Sequence, residues 1–102
     1  MRLAPSDLQT LQHIIFAELG QEGVHARLFG SRVNDDARGG DVDVHIQLDH
    51  DVPNRVWTTC MLGAKLERAM HGRTIDVRLL TPSMQKQPID DVALSQGVLL
   101  WQ

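Results

Sequence analysis

The chain has 102 residues, of which 42% are hydrophobic and 23% are charged. This composition is typical of folded proteins rather than disordered ones, and we expect a single domain over residues 1–102. The net charge of −3 argues against nucleic acid as a partner. We also expect a cytoplasmic protein without a membrane span, because the chain has one cysteine, no long apolar run and no signal-peptide pattern.

The first half of the chain predicts a helix, a strand and a polar connection. Apolar residues at helical spacing over 8–19 predict the helix, with Ser6 as its N-cap and Gly20 as its end. Residues 24–29 are mostly apolar and lie between two glycines, which predicts a short strand. Residues 34–40 are polar and end in Gly-Gly, so we expect a loop or a short helical turn there.

The segment 41–48 alternates between polar and apolar residues, which predicts a second strand with one buried and one solvated face. Successive side chains of a strand point to opposite faces, so Asp41 and Asp43 project from the same side with Cα atoms roughly 6.6 Å apart. Two like charges at this distance repel each other, and a cation between them allows both to stay ionised. His45 follows on the same face, where we expect it to be solvated, with a place at the margin of the site as the alternative.

The second half predicts a helix over 56–70, a third strand over 74–80 and a closing helix with Pro88 in its first turn. We expect Cys60 to pack in the core from the apolar face of its helix. The apolar tail 98–101 is also expected to join the core, with an interface as the alternative. Together these elements predict an α/β (α+β) fold, in which helices flank a small mixed sheet of about three strands.

Asp76 offers a third carboxylate on the polar face of the third strand. If the second and third strands are neighbours, Asp76 joins Asp41 and Asp43 in one acidic cluster. Such a cluster can hold two Mg²⁺ ions that clamp the attacking and leaving oxygens of a phosphoryl displacement, while one carboxylate takes a proton from the nucleophile. The alternative is an ion pair between Asp76 and Arg78 or another surface arginine.

The first strand runs into Gly30, Ser31 and Arg32, which suit a phosphate group. A glycine lets backbone amides approach phosphate oxygens, and the Ser31 hydroxyl adds a hydrogen-bond donor. Arg32 is a candidate for a direct phosphate contact. A Gly-Ser pair alone occurs in many turns, but its combination with the Asp-x-Asp pattern and a later aspartate is much more specific.

Three motifs closely resemble the polymerase-beta-like nucleotidyltransferase superfamily, and in particular its minimal nucleotidyltransferases: Gly30-Ser31-Arg32, Gly40-Asp41-Val42-Asp43-Val44 and Thr74-Ile75-Asp76-Val77-Arg78. The resemblance implies the nucleotidyltransferase fold and ATP as the nucleotide substrate. It also implies that Gly30 and Ser31 bind nucleotide phosphates and that the three aspartates hold Mg²⁺. Many members have Ser-Asp where this chain has Gly40-Asp41, so that serine hydroxyl has no counterpart here.

The resemblance further implies a partner protein. Minimal nucleotidyltransferases often form toxin–antitoxin pairs with an all-helical HEPN-type protein, and some transfer AMP from ATP to that toxin. We therefore expect a Mg²⁺-dependent nucleotidyltransferase that modifies such a partner, in a homo- or hetero-oligomer. The alternatives are an antitoxin that neutralises its partner by contact alone, and nucleotidyl transfer to a small-molecule acceptor such as an aminoglycoside.

Overall fold

The computed structural model describes residues 5–29 and 42–101. In this part of the chain there are three helices and four strands: α1 (Pro5–Leu19), β1 (Val24–Phe29), β2 (Val42–Leu48), α2 (Arg55–Ala69), β3 (Ile75–Leu80), α3 (Pro88–Gln96) and β4 (Val98–Leu99). The strands form one mixed sheet in the order β3-β2-β1-β4, with β2 antiparallel to β1 and parallel to β3. This confirms the α/β class, although the sheet has four strands instead of about three. None of these helices is both long enough and apolar enough to span a bilayer.

One face of the sheet packs against α1 and α2 and forms the hydrophobic core. The apolar residues of β2 lie at its centre, since Val42, Val44 and Ile46 are all 0% exposed. The helices contribute Leu11 and Ile15 from α1, and Leu62, Leu66 and Met70 from α2. Burying a side chain of this kind stabilises the fold by roughly 1.5–3 kcal/mol. A shift of β2 by one residue would turn these side chains to the other face of the sheet, so their burial fixes the register of the strand.

Helix α3 covers part of the opposite face of the sheet. Its residues Asp90 and Ala93 are 0% exposed, and Asp90 contacts His45 of β2 and Arg78 of β3. The prediction that His45 is solvated is therefore wrong, because its side chain is 0% exposed under this helix. The sheet has a helical layer on each side.

The first helix begins and ends close to its predicted bounds. It starts at Pro5, so Ser6 lies in the first turn instead of acting as the N-cap. Its end is as predicted, because Gly20 follows it with φ +83°, a conformation that glycine adopts without a steric penalty.

The second helix is capped by Asn54, whose side-chain oxygen accepts a hydrogen bond from the backbone N–H of Trp57 at 3.2 Å. The buried stripe of this helix runs through Leu62 and Leu66. Cys60 is exposed, so its predicted core position is wrong. Cys60 precedes Leu62 by two residues, so the two side chains point about 200° apart around the helix axis.

The C-terminal segment pairs with β1 and supplies the fourth strand. Val98 and Leu99 are 53% and 38% exposed, so neither joins the core. Leu100 and Trp101 do pack against the core, and the Trp101 ring meets Phe16 edge-on with ring centroids 4.6 Å apart. The expectation that this tail packs in the core thus holds for its last two described residues and fails for the first two.

Gly97 joins α3 to β4 where no side chain fits, because a Cβ there would lie 2.4 Å from the Ala93 carbonyl oxygen and 3.0 Å from the Arg27 Cβ.

We expect Gly97→Ala to lower the free energy of unfolding by about 2 kcal/mol in urea titrations. Gly63→Ala is the matched control, because its Cβ would lie at an ordinary contact distance of 3.8 Å from Val77 Cγ2. We expect this variant to raise the free energy of unfolding by up to about 1 kcal/mol, because alanine favours a helix more than glycine does. Equal stabilities for the two variants would contradict this account of the junction.

Candidate active site

Two neighbouring strands place Asp43 and Asp76 side by side. Strands β2 and β3 run parallel, and their register pairs these two residues. Paired residues project from the same face of the sheet, and neighbouring strands lie about 4.8 Å apart. The second and third strands are therefore neighbours, and two of the three predicted carboxylates come together. Asp41 lies outside the described residues.

The predicted phosphate-binding residues also lie outside the described residues: Gly30, Ser31 and Arg32. The structure does describe the two strand ends that this part of the chain connects. Phe29 is the last residue of β1, and it pairs with Asp43 near the start of β2. Both strand ends therefore lie next to the carboxylate pair.

A second row of side chains crosses the same face one step further along the strands. Arg27 pairs with His45, and His45 pairs with Arg78. Asp90 of α3 lies against this row, with Oδ1 2.8 Å from His45 Nε2. The Arg78 guanidinium donates from Nε at 3.0 Å and from Nη2 at 2.7 Å, and the Gln87 backbone N–H donates at 2.8 Å. We call His45, Arg78 and Asp90 the Asp90 cluster.

The charges within the Asp90 cluster follow from these contacts. The Arg78 guanidinium, with smaller contributions from the Gln87 N–H and His45, holds the pKa of the Asp90 carboxyl well below its usual range. An ionised carboxylate only accepts hydrogen bonds, so His45 donates from a protonated Nε2.

Burial lowers the pKa of His45 below its ordinary value, against the opposing attraction of Asp90. His45 is therefore neutral at pH 7 and leaves Nδ1 without a proton. That buried Nδ1 finds no hydrogen-bond partner in the described part of the chain, and the same holds for Nη1 of Arg27.

The Asp90 cluster leaves Asp76 accessible. Arg78 is engaged by Asp90, so the alternative interpretation of an Asp76–Arg78 ion pair is not what the structure shows. Asp76 is exposed beside the half-buried Asp43, and carboxylates provide the hard oxygen ligands that Mg²⁺ prefers. Within residues 5–29 and 42–101 there is no group of three or more His, Cys, Asp or Glu that could hold a metal.

The sequence analysis missed Asp90. One signal was present, because Gln87 and Asp90 have the spacing of a capping box, and the structure shows both of its hydrogen bonds. That spacing marks the start of a helix but does not indicate which strands the carboxylate will contact. The contacts with His45 and Arg78 depend on how α3 packs against the sheet.

No protein-family model matches the sequence, and no curated protein matches it either. The fold is similar to that of solved toxin–antitoxin structures. A chain of the toxin–antitoxin MntA–HepT structure superposes with a TM-score of 0.65 at 17% identity, over 96% of this chain and 72% of that one. A toxin–antitoxin structure with AMP-PNP gives a TM-score of 0.66 at 21% identity, over 97% and 73% of the two chains.

A third neighbour comes from Shewanella oneidensis, from the structure of a tri-AMPylated HEPN toxin in complex with an MNT antitoxin. Its TM-score is 0.64 at 18% identity, over 94% of this chain and 70% of that one. These likenesses confirm the predicted nucleotidyltransferase fold. At such identities they establish the fold alone.

Asp90→Asn removes the negative charge that compensates Arg78. We expect the free energy of unfolding to fall by about 3 kcal/mol at neutral pH, because a buried ion pair that loses one partner leaves the other uncompensated. Asp91→Asn is the matched control in the same helical turn, since Asp91 is exposed and should change stability by less than about 0.5 kcal/mol. Urea titrations of the two variants measure the difference.

The stability gap between wild type and Asp90→Asn should depend on pH in one direction. The folded-state pKa of Asp90 lies below its unfolded value, so its contribution is complete above the unfolded pKa and is lost as pH falls through the folded pKa. The gap should therefore stay constant near neutral pH and shrink below about pH 4. A gap that widens on acidification would contradict this assignment of charge.

Proposed function

We propose that this protein is a Mg²⁺-dependent nucleotidyltransferase that transfers AMP from ATP to a HEPN-type partner in a toxin–antitoxin pair. The observation that carries the proposal is the pairing of Asp43 with Asp76 on parallel strands of this fold. Two fold neighbours support the choice of donor and acceptor, because one is a toxin–antitoxin structure with AMP-PNP and the other contains an AMPylated HEPN toxin with an MNT antitoxin.

In this proposal the metal ligands are Asp41, Asp43 and Asp76, and the triphosphate contacts are Gly30, Ser31 and Arg32. The described pair fits a hard cation because it offers only oxygen ligands. When bound, two Mg²⁺ ions neutralise phosphate charge and orient the attacking and leaving oxygens. Residues 1–102 act as a single domain in this scheme.

The proposed chemistry of the protein itself centres on Asp76. An acceptor hydroxyl approaches its exposed carboxylate, which takes the proton as the hydroxyl oxygen attacks the α-phosphorus of ATP. The bond from the α-phosphorus to pyrophosphate breaks, and pyrophosphate leaves. One row further along the same face, Asp90 holds His45 of β2 and Arg78 of β3 together, which fixes the relative position of the two strands.

Asp76→Asn should lower AMP transfer to the HEPN-type partner by about a thousandfold, because an amide cannot accept the hydroxyl proton. Mass spectrometry of the partner, after incubation with ATP and Mg²⁺, follows the mass gain of one AMP. Glu22→Gln is the matched control and should transfer at the wild-type rate, since Glu22 is exposed in the turn before β1.

The double variant Asp41→Asn/Asp43→Asn separates catalysis from neutralisation by contact. We expect it to bind the partner but to leave the partner unmodified and toxic, because the metal site is lost. If this variant still neutralises the partner while wild type adds no AMP, the protein acts by contact and the enzymatic proposal is wrong. A modified small molecule formed without any partner would favour the small-molecule acceptor instead.

A further inference from the structure

We infer that Asp90 is a positioning residue for the proposed transfer, because it holds the guanidinium of Arg78 away from Asp76. The carboxylate of Asp76 then stays available to the acceptor hydroxyl and to a metal ion. This inference rests on the proposed function, and it assigns a part in that function to a side chain that is 0% exposed.

Strand β3 places Arg78 where it would pair with Asp76 if no other group held it. The two residues are separated by one position, so their side chains project from the same face of the sheet with Cα atoms roughly 6.6 Å apart. The long arginine side chain spans such a separation. A guanidinium and a carboxylate that meet form strong paired hydrogen bonds. Asp76 therefore has a competitor for its oxygens on its own strand.

In the structure Arg78 turns towards α3 instead. Its Nε donates to Asp90 Oδ1 at 3.0 Å, and its Nη2 donates to Oδ2 at 2.7 Å. His45 Nε2 lies 2.8 Å from the same Oδ1, and the Gln87 backbone N–H donates to Oδ2 at 2.8 Å. Each oxygen of Asp90 thus takes part in two hydrogen bonds, which fix the carboxylate in the orientation that holds the guanidinium.

Burial decides which of the two carboxylates Arg78 joins. Asp90 is 0% exposed, whereas Asp76 is exposed. A buried carboxylate that lost its guanidinium would be left without a compensating charge, and this costs much more free energy than an exposed ion pair returns. Arg78 therefore stays with Asp90 as long as Asp90 carries its charge.

An Arg78 side chain on Asp76 would interfere with both roles proposed for that carboxylate. It would occupy oxygens that a metal ion needs as ligands. Its positive charge would also make the carboxylate a weaker acceptor for the hydroxyl proton. The contact between Arg78 and Asp90 thus protects the site as well as joining α3 to the sheet.

Two variants test this role. Asp90→Asn should lower AMP transfer to the HEPN-type partner by about tenfold or more, because the released Arg78 pairs with Asp76. Asp90→Asn/Arg78→Met lacks the guanidinium and should transfer AMP about fivefold or more faster than Asp90→Asn. If Asp90 acted only by tying β2 to β3, the second change would not restore transfer, and that outcome would overturn the inference.

Asp91→Asn is the matched control from the same helical turn. Asp91 is exposed, so this variant should transfer AMP at the wild-type rate. All variants are measured in trimethylamine N-oxide, which favours the folded state, and circular dichroism checks that each of them is folded. An equal loss of transfer in Asp91→Asn and Asp90→Asn would show that the charge of α3 matters, instead of the contact with Arg78, and would overturn the inference.

Unfolding in urea tests the pairing without ATP, metal or partner. In the Asp90→Asn background, the further change Asp76→Asn should lower the urea midpoint by about 0.5 M, because it breaks the new ion pair with Arg78. In wild type and in Asp90→Asn/Arg78→Met, the same change should shift the midpoint by less than about 0.2 M. An equal shift in all three backgrounds would overturn the inference. If wild type adds no AMP, the proposed function fails, and these midpoints decide the inference by themselves.

Discussion

The arrangement of the described sheet face depends on the contacts of the buried Asp90 carboxylate with Arg78 and His45. An isolated charge at a 0% exposed position would destabilise the fold strongly, but Arg78, His45 and the Gln87 N–H satisfy both carboxylate oxygens. This one residue thereby joins the last helix to β2 and β3. Because α3 continues through Gly97 into β4, its position also sets where the C-terminal segment meets β1.

Asp43 pairs with Asp76 on adjacent strands, so two carboxylates lie side by side on one face of the sheet. The hydrophobic residues behind them hold the parallel register, and the Asp90 cluster holds the next row of side chains. Two carboxylates side by side in an otherwise consistent sheet are typical of a functional site, where local rules are broken. In the proposed function a cation binds this pair, and metal binding should then stabilise the fold as well as serve its chemistry.

The sequence was sufficient to predict β1, β2 and the shared face of Asp41 and Asp43, because alternation with period two identifies a strand and its faces. That the second and third strands are neighbours was only a condition in the sequence analysis, because alternation does not show which strands pair. Alternation does not show what covers a face, so the burial of His45 under Asp90, 45 residues further along the chain, could not be predicted. Cys60 was misplaced because apolar residues on α2 extend beyond its buried stripe. Strand β4 has two residues, which is too short for a periodic pattern.

The chemistry at the carboxylate pair can be tested by the position of a label on ATP. The protein is incubated with Mg²⁺, its HEPN-type partner and ATP labelled at either the α- or the γ-phosphate. Nucleotidyl transfer predicts that the partner acquires label from α-labelled ATP, whereas γ-labelled ATP yields labelled pyrophosphate and an unlabelled partner. Label on the partner from the γ-phosphate, or from neither position, would contradict nucleotidyl transfer at Asp43 and Asp76.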